Sequence, residues 1–580
     1  MTNIDQSKLR SVQFLLENKF SEAIPELDKV IEMDPEDSVS WHNRGACKYN
    51  LNQFEEAIKD LDRAMELNPD SESWSYRGRS KYFLKKYKEA IKDLDKAIEI
   101  YPEDYDSWHF RGSSKYNLDQ YEEGIKDLDK AISLNPKNYD SWHFRGACKF
   151  YLDQYEETIK DLNQAIKIYS EDYDSWHFRG KSKFNLKQYE EAIKDLDKSI
   201  TLNPEDYDSW HCRGSSKYYS QQYKEAIKDF DKAISINPDF PINWHLNGSC
   251  KYNLDQFEEA IKDFDKGIEL YSEVFDSWHC RGRSKFNLKH FEEAIKDFDK
   301  AIEINPEDYN SWYFRGLSKF YSNQLKEAFK DFDKATSLNP EDYLCWHFRG
   351  TCEHFLDQSE EAIKDFDKAI EINPEDYNSW YLRGSSKYNL DQFEEAIPDY
   401  TKAIELNPED SFSWRFRGTS KCYLNQFEAA IPDFDMAIAL NPEDYDSWHC
   451  RGLSKYNLKQ FEEAIPDFNM AIAINSKVYD SWHFRGISKY YSHKYQEAIP
   501  DFDKAIALNP EDFRSWLCRG ACKYNLDQFE EAIPDYTKAI ELNPNDFNCL
   551  SLRASAKRKL GDNEGADADD RKAEKLKNNL

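Results

Sequence analysis

Residues 105–138 read YDSWHFRGSSKYNLDQYEEGIKDLDKAISLNPKN, and this 34-residue stretch recurs along most of the chain. Its Trp108 is one of fifteen tryptophans. Every step from Trp74 to Trp516 is 34 residues, and the step from Trp41 to Trp74 is 33. A fixed period of this size indicates stacked supersecondary units, each of which contacts only its neighbours. A repeat array offers a long surface rather than a single pocket, so we predict that the protein is not an enzyme.

The pattern inside residues 105–138 predicts two helices. The first is expected over about 107–118, with Asp106 as its N-cap. The second is expected from about Tyr121 to just before Pro136, because proline cannot continue a helix. Apolar residues recur in the second helix at i, i+3, i+4 and i+7, which is the stripe of an amphipathic helix. Each unit is therefore a helical hairpin with one buried face.

This unit resembles the tetratricopeptide repeat, whose pattern is W-x2-L-G-x2-Y, then A-x3-F, then P, over 34 residues. The corresponding residues in the second unit are Trp41, Arg44, Gly45, Lys48, Ala57, Leu61 and Pro69. Seventeen units fit residues 4–580 as a single continuous solenoid, and atypical units at 4–37 and 547–580 would cap its ends. The resemblance implies an all-α solenoid of helix-turn-helix units that forms a right-handed superhelix.

The glycine, the arginine and one carboxylate of a typical repeat indicate how its two helices pack. Gly112 follows the tryptophan by four residues, and all fifteen tryptophan units have glycine there. Glycine costs about 1 kcal/mol inside a helix, so we expect a close approach of the paired helix. The family's leucine is arginine in 16 of 17 units, and a carboxylate follows sixteen residues later, as Asp127 follows Arg111. We predict a repeated bidentate Arg–Asp bond that fixes helix register. A ligand-binding row of arginines is the alternative.

Charge and composition limit the partners. The formal net charge of -31 argues against nucleic acid and anionic membranes, which need a basic face. The chain begins without a recognisable secretory signal, and no stretch approaches the roughly 18 apolar residues of a membrane span. The twelve cysteines include no CxxC pair, and they are expected to be packing residues in a reducing compartment. We therefore expect a cytoplasmic protein.

In proteins that the chain resembles, the first helices line a concave groove. Its positions, counted from the tryptophan, lie two before it and one, two, five, eight and nine after it. Ten of the thirteen histidines lie one residue after a tryptophan. Carried over to repeats four to seven, the predicted partner-binding residues are Asp106, His109, Phe110, Tyr116, Asn117, Asp140, His143, Phe144, Phe150, Asp174, His177, Phe178, Phe184, Asn185 and His211.

An acidic groove of this composition suits a protein ligand. Aromatic rings supply contact area with few rotors to immobilise, and asparagine can hydrogen-bond a peptide backbone. We predict a non-catalytic scaffold or adaptor that binds partner protein segments, including basic ones, and that needs no cofactor.

Two other functions stay open. Aspartate and histidine three residues apart share a helix face and could respond to a metal or to pH. One carboxylate and one imidazole per unit leave a metal site short of ligands, however, so no metal site is predicted. The second alternative is a structural solenoid that self-associates. Repeat eight, with Pro241 and Ile242 before its tryptophan and Asn247 in place of arginine, departs from the pattern and could mark a local contact site.

Overall fold

The computed structural model describes residues 3–578, which contain thirty-four α-helices and no strand. They form two compact units, divided after His290. The first unit contains α1 (Asn3–Leu16), α2 (Phe20–Met33), α3 (Ser38–Asn50), α4 (Phe54–Leu67), α5 (Ser71–Phe83), α6 (Tyr87–Ile100), α7 (Tyr105–Tyr116), α8 (Tyr121–Leu134), α9 (Tyr139–Tyr151), α10 (Tyr155–Ile168), α11 (Tyr173–Asn185), α12 (Tyr189–Leu202), α13 (Tyr207–Tyr219), α14 (Tyr223–Ile236), α15 (Pro241–Asn253), α16 (Phe257–Leu270) and α17 (Phe275–Asn287).

The second unit contains α18 (Phe291–Ile304), α19 (Tyr309–Tyr321), α20 (Leu325–Leu338), α21 (Tyr343–Phe355), α22 (Ser359–Ile372), α23 (Tyr377–Asn389), α24 (Phe393–Leu406), α25 (Ser411–Tyr423), α26 (Phe427–Leu440), α27 (Tyr445–Asn457), α28 (Phe461–Ile474), α29 (Tyr479–Tyr491), α30 (Tyr495–Leu508), α31 (Phe513–Asn525), α32 (Phe529–Leu542), α33 (Phe547–Lys559) and α34 (Asn563–Asn578). The all-α prediction and the count of about seventeen helix pairs are confirmed. Residues 579 and 580 of the predicted C-terminal cap lie outside the described residues.

Within repeat four, the second helix has the predicted bounds, whereas the first begins two residues earlier than expected. Asp104, and not Asp106, is the N-cap of α7. Its carboxylate accepts the backbone N–H of Asp106 at 3.1 Å and the hydroxyl of Ser107 at 2.5 Å. The prediction of Asp106 as the cap is therefore wrong, because the carboxylate of Asp104 accepts a free N–H of the first turn, which is that of Asp106 itself.

Each repeat is closed by an apolar contact between its two helices. In α8 the residues Leu128 and Ala131 are fully buried. A Cβ atom placed on Gly112 would lie only 2.7 Å from Cγ of Leu128. This contact confirms the steric reason for the repeated glycine. The tryptophan ties the preceding loop to the repeat, since Nε1 of Trp108 donates to the carbonyl of Pro102 at 2.8 Å.

The predicted Arg–Asp bond is present and is part of a larger ionic network. Arg111 donates from Nε and Nη2 to the two oxygens of Asp127, at 2.8 and 2.6 Å. Its Nη1 donates to Asp95 of the preceding repeat at 2.6 Å. Lys115 reaches the same Asp127 at 2.7 Å, and the guanidinium lies over the Trp108 ring at 4.6 Å. Each such arginine therefore joins two repeats as well as two helices.

Repeats eight and eleven alter this network. In repeat eight, Asn247 donates to Asp231 at 2.8 Å but has no guanidinium to pair with the buried Asp263. Asp263 still accepts a hydrogen bond from the ammonium of Lys251 at 2.6 Å. Burial raises the pKa of that carboxyl. In repeat eleven, Glu353 replaces the lysine, and burial together with the charge of Asp365 raises the pKa of Glu353 to about 8. A protonated Glu353 would take over the donor role of the missing ammonium.

Replacing Arg213 by leucine is expected to destabilise the first unit. Arg213 donates at 2.9 and 2.6 Å to Asp229, which is only 1% exposed. Breaking a buried ion pair costs about 3–5 kcal/mol, so urea unfolding of Arg213→Leu should show a loss in that range. Arg63→Leu is the control, since its partners Glu36 and Glu66 are exposed and the expected loss is below about 1 kcal/mol. Equally small losses would contradict the role of the network.

Two glycine substitutions are expected to shift the melting temperature in opposite directions. Gly112→Ala forces a methyl group against Leu128, and such overpacking costs about 1–3 kcal/mol. Gly267→Ala occupies a position that is alanine in most other repeats, and its nearest neighbour would be the carbonyl oxygen of Pro241 at 3.5 Å. Relief of the helical glycine penalty should stabilise this variant by up to about 1 kcal/mol. Calorimetry that gave both shifts the same sign would contradict this account.

Candidate functional site

The predicted groove residues lie on neighbouring first helices of the first unit. Helices α7, α9, α11 and α13 contact one another in sequence order, in addition to the second helices between them. They carry all fifteen predicted residues except Asn117, which is the C-cap residue of α7. The first helices of the first unit from α3 to α17 contact one another in this order, and we call the surface that they form the first-helix row. The structure therefore brings the predicted residues together along one continuous series of helices.

The histidines of the row are interface residues between successive first helices. His109, His143 and His177 are 5%, 8% and 7% exposed. Nδ1 of His177 lies 2.7 Å from Oγ of Ser209 in the next repeat, and that hydroxyl donates to Asp206 at 2.5 Å. Because the Ser209 hydroxyl donates its proton to the Asp206 carboxylate, the serine oxygen accepts a hydrogen bond from Nδ1–H of His177. These three histidines, which were among the predicted partner-binding residues, are therefore buried between first helices.

The same arrangement recurs in other repeats. Nδ1 of His109 lies 2.9 Å from Ser141, His449 lies 2.8 Å from Ser481, and His483 lies 2.7 Å from Ser515. Burial lowers the pKa of His109 to about 3, and lowers the pKa values of His449 and His483 to about 4. The fourth predicted histidine, His211, bonds Oδ1 of Asn243 at 2.6 Å, and burial lowers its pKa as well. These rings are neutral near pH 7.

The aspartates of the row differ in their partners. Asp106 accepts from Arg79 of the preceding repeat at 3.1 Å, and Asp208 accepts from Lys181 at 2.8 Å. Arg79 also lies over the rings of the row, and Lys181 lies over Phe150. Sequence reasoning did not identify these two cations, although both occupy the position five residues after a tryptophan, where most repeats have a small or apolar residue.

Asp140 and Asp174 lack such an arginine or lysine at the equivalent position, which holds Ser113 and Ala147. Burial raises the pKa values of both carboxyls above the usual range for aspartate. A cation supplied by a partner would relieve the cost of this partial desolvation. These two carboxylates therefore lack the lysine or arginine partner that Asp106 and Asp208 have.

Aromatic rings cover the row between the aspartates. Tyr116 meets Phe144 edge to face at 5.4 Å, and Phe150 meets Phe178 at 5.3 Å in the same geometry. Such pairs contribute about 0.5–1.5 kcal/mol beyond their burial. The remaining predicted members of the surface are Phe110, which contacts Tyr82, Phe184, which contacts Tyr189, and the exposed residues Asn117 and Asn185.

The most exposed rings lie nine residues after the tryptophan. Tyr151 is 50% exposed and stacks on Tyr121, with ring centres 5.1 Å apart. Phe83 is 46% exposed and stacks on Phe54 at 4.9 Å. Each ring is held by this stacking and by contacts with other rings of the row, such as Phe110 for Phe83 and Phe178 for Tyr151, and about half of its surface stays open to solvent. Rings fixed in this way bind a partner with little further loss of conformational freedom.

The described residues contain neither a cluster of potential metal ligands nor a helix that could span a membrane. Within residues 3–578, no group of three or more His, Cys, Asp or Glu side chains is arranged to hold a metal ion. None of the helices in the described part of the chain is long and apolar enough to cross a membrane.

Comparison with solved structures gave relatives of low identity. One is YrrB, described as a TPR protein with an unusual peptide-binding site; it is 23% identical, covers 32% of this chain and 97% of its own, and has a TM-score of 0.31. The APC/C hetero-tetramer Cut9-Hcn1 is 15% identical, with coverages of 84% and 96% and a TM-score of 0.33. MamA from Desulfovibrio magneticus RS-1 is 19% identical, with coverages of 29% and 96% and a TM-score of 0.28. No curated protein matched the chain.

Family models gave a clearer result. Residues 117–199 match a model described as anaphase-promoting complex, cyclosome, subunit 3. Four models described as tetratricopeptide repeat match residues 38–71, 71–104, 207–240, 275–308, 309–342, 344–376, 377–410, 417–478, 479–512 and 513–546. These ranges share the period, the helix pairs and the packed glycine described above, and together they span more than half of the sequence. The chain therefore belongs to the tetratricopeptide repeat family.

Proposed function

We propose that this protein is a non-catalytic scaffold that binds a segment of a partner protein along the first-helix row. The observation that carries the proposal is the series of half-exposed, stacked rings represented by Phe83 and Tyr151, on the same row of first helices as the partly desolvated carboxylates of Asp140 and Asp174. Immobilised aromatic rings are complementary to apolar residues of a peptide, and carboxylates that lack a lysine or arginine partner are complementary to basic ones. Repeat arrays of this family commonly use such extended surfaces for protein binding.

Within this surface the predicted residues have different roles. The rings and the polar groups are proposed to contact the partner, whereas the buried histidines hold adjacent first helices at the distance that the rings require. Besides the exposed rings Phe83 and Tyr151, the proposed contact residues are Asp140, Asp174, Asn117, Asn185, Tyr116, Phe110, Phe144, Phe150, Phe178 and Phe184. Asp106 is already paired with Arg79 and is proposed to act mainly in that pair.

The hydrogen bonds of the row also favour a non-catalytic role. A serine nucleophile gives its proton to a histidine, and the histidine is oriented by a carboxylate. Here the order is different, because the fully buried Ser209 donates to Asp206 and accepts from His177. The serine oxygen is therefore neither exposed nor activated by the imidazole.

Partner capture from a lysate of the source cells tests the proposal. Phe83→Asn combined with Tyr151→Asn removes two exposed rings and introduces the asparagine that eight of the fifteen tryptophan repeats have at that position. We expect partner recovery, quantified by mass spectrometry, to fall about tenfold, which corresponds to a loss of ~1.4 kcal/mol.

Tyr101→Asn combined with Tyr169→Asn is the matched control. These tyrosines are 54% and 44% exposed but follow the second helices α6 and α10. The control should capture the partner as the wild type does. Undiminished capture by the Phe83→Asn and Tyr151→Asn variant, or equal loss in the control, would show that the first-helix row is not the binding surface.

The buried histidines predict a dependence of stability on pH. In the unfolded chain they bind a proton near pH 6.5, whereas in the folded chain His109, His449 and His483 stay neutral down to about pH 3 to 4. Between these limits the unfolded state binds more protons, so the free energy of unfolding should fall as pH falls from 6.5 towards 4. Urea unfolding at pH 7.5 and 5.0 measures this loss.

The triple variant His109→Gln, His449→Gln and His483→Gln is the control. Glutamine does not titrate, so its stability should change less between the two pH values than that of the wild type. The difference between the two chains isolates the histidines from the carboxylates, which titrate in both. Identical pH dependence would contradict the role assigned to burial of the imidazoles.

A further inference from the structure

The first-helix row contains a cavity of ligand size. It lies at repeats six to nine, has a volume of about 500 Å³ and is lined mainly by apolar side chains, among them Phe184, Ile242 and Leu246. Ligand pockets in proteins fall in the range of about 300–1,000 Å³. We call it the repeat-eight cavity, because α15 of repeat eight, which begins at Pro241, forms much of its wall.

The cavity exists because two rings of the row are replaced there. The position two residues after the tryptophan is phenylalanine in repeats four to six, where Phe144 and Phe178 pack against the rings of the preceding repeat at 5.4 and 5.3 Å. Repeats seven and eight have Cys212 and Leu246 at this position. Phe184, which corresponds to Tyr116 and Phe150, therefore has no phenylalanine at the next repeat's equivalent position and lines the cavity instead.

A small residue at a second position leaves the space open. The position five residues after the tryptophan is Arg79 in repeat three and Lys181 in repeat six, and both side chains fill the row over aromatic rings. In repeat seven it is Ser215, which lines the cavity. Ser215 is 3% exposed, and its Oγ has no hydrogen-bond partner among the described residues. A buried hydroxyl of this kind is unfavourable until a ligand group or a water bonds to it.

The rim of the cavity is apolar and acidic. Three large side chains at the rim are more exposed than is usual for residues of their type. They are Ile242, Tyr219 and Tyr271, which are 46%, 54% and 55% exposed. The exposed carboxylate of Asp276 also belongs to the lining, and its charge acts on His245. Asp208 nearby is already paired with Lys181. A cation next to an apolar group would therefore be complementary to this rim.

We infer that the repeat-eight cavity binds an aromatic side chain of the partner segment, with a lysine or arginine next to it that meets Asp276. The partner's ring takes the place that Phe144 and Phe178 occupy in other repeats, against Phe184 and Leu246. Ser215 supplies a hydrogen bond to the partner's main chain or to a hydroxyl on its ring. This inference rests on the proposed function and identifies the segment of the row that selects the partner.

The test uses the full chain and a defined probe, the peptide acetyl-Gly-Lys-Phe-Lys-Gly-amide with para-fluorophenylalanine as its aromatic residue, observed by fluorine NMR. Cys212→Phe combined with Leu246→Phe restores the two rings that repeats four to six contain. The wild type should show a saturable shift, and this variant should bind about tenfold or more weakly, as expected for loss of an anchoring pocket.

Leu382→Phe combined with Cys450→Phe is the matched control, because it makes the same changes at the same repeat position in residues 291–578. It should bind as the wild type does. Ser215→Lys is a second variant, which introduces the side chain that Lys181 provides in repeat six, fills the cavity with a cation and should also weaken binding. It keeps the test decisive if the two added rings disturb folding, which circular dichroism would reveal.

Several results would overturn the inference. These are the absence of a shift with the wild type at millimolar peptide, equal binding by the wild type and both cavity variants, or equal binding of a peptide with glutamate in place of both lysines. Tighter binding of free para-fluorophenol than of the peptide would point to a small molecule instead of a protein segment, and would overturn it too. If only this peptide test fails, partner capture that depends on Phe83 and Tyr151 would still support the proposed function.

Discussion

A guanidinium held between two carboxylates sets the spacing of the repeats. Arg111 binds both oxygens of the buried Asp127 in its own repeat and one oxygen of Asp95 in the preceding repeat. Removing a buried carboxylate from water is costly, so the pair is favourable only where the geometry is nearly ideal. That requirement fixes the distance and the rotation between helices more strictly than apolar contacts alone would. The first-helix row, its rings and its buried histidines all depend on this spacing.

Much of this frame could be predicted from the sequence, because it repeats. The period gives the hairpins, the recurring spacing of Arg111 and Asp127 gives their bond, and the helical glycine at 112 implies the contact with Leu128. The burial of His109 could not be predicted in this way. It depends on how closely successive first helices approach and on the serine of the next repeat, which is a distance in three dimensions and not a spacing along the chain. The N-cap of α7 could not be predicted from spacing either, because Asp104 and Asp106 are both close to the helix start and only the position of the Asp104 side chain decides between them.

The proposed binding surface depends instead on the positions at which the repeats differ. Arg79 and Lys181 neutralise the carboxylates of their neighbours, whereas Ser113 and Ala147 leave Asp140 and Asp174 without that pair. Where ring and cation are both absent, as at Ser215, a cavity opens. The backbone is thus nearly the same in every repeat, whereas the exposed side chains differ from one repeat to the next. A long partner could therefore be recognised at several separate repeats. The sequence marked repeat eight as unusual, but only the packing of its neighbours shows that the departure creates space.

The step of 33 residues between Trp41 and Trp74 shows how the array tolerates a change in length. Helix α4 ends at Leu67 and α5 begins at Ser71, which leaves three linking residues where the next repeat junction has four. Arg77 still reaches Asp93 at 2.8 and 2.7 Å and also bonds Asp62 across the junction. The shortened linker takes up the deletion while the ionic contacts on both sides persist. Gene duplication that adds or removes a whole repeat would likewise recreate these contacts at the new junction, so the array can change its length during evolution without designing a new interface.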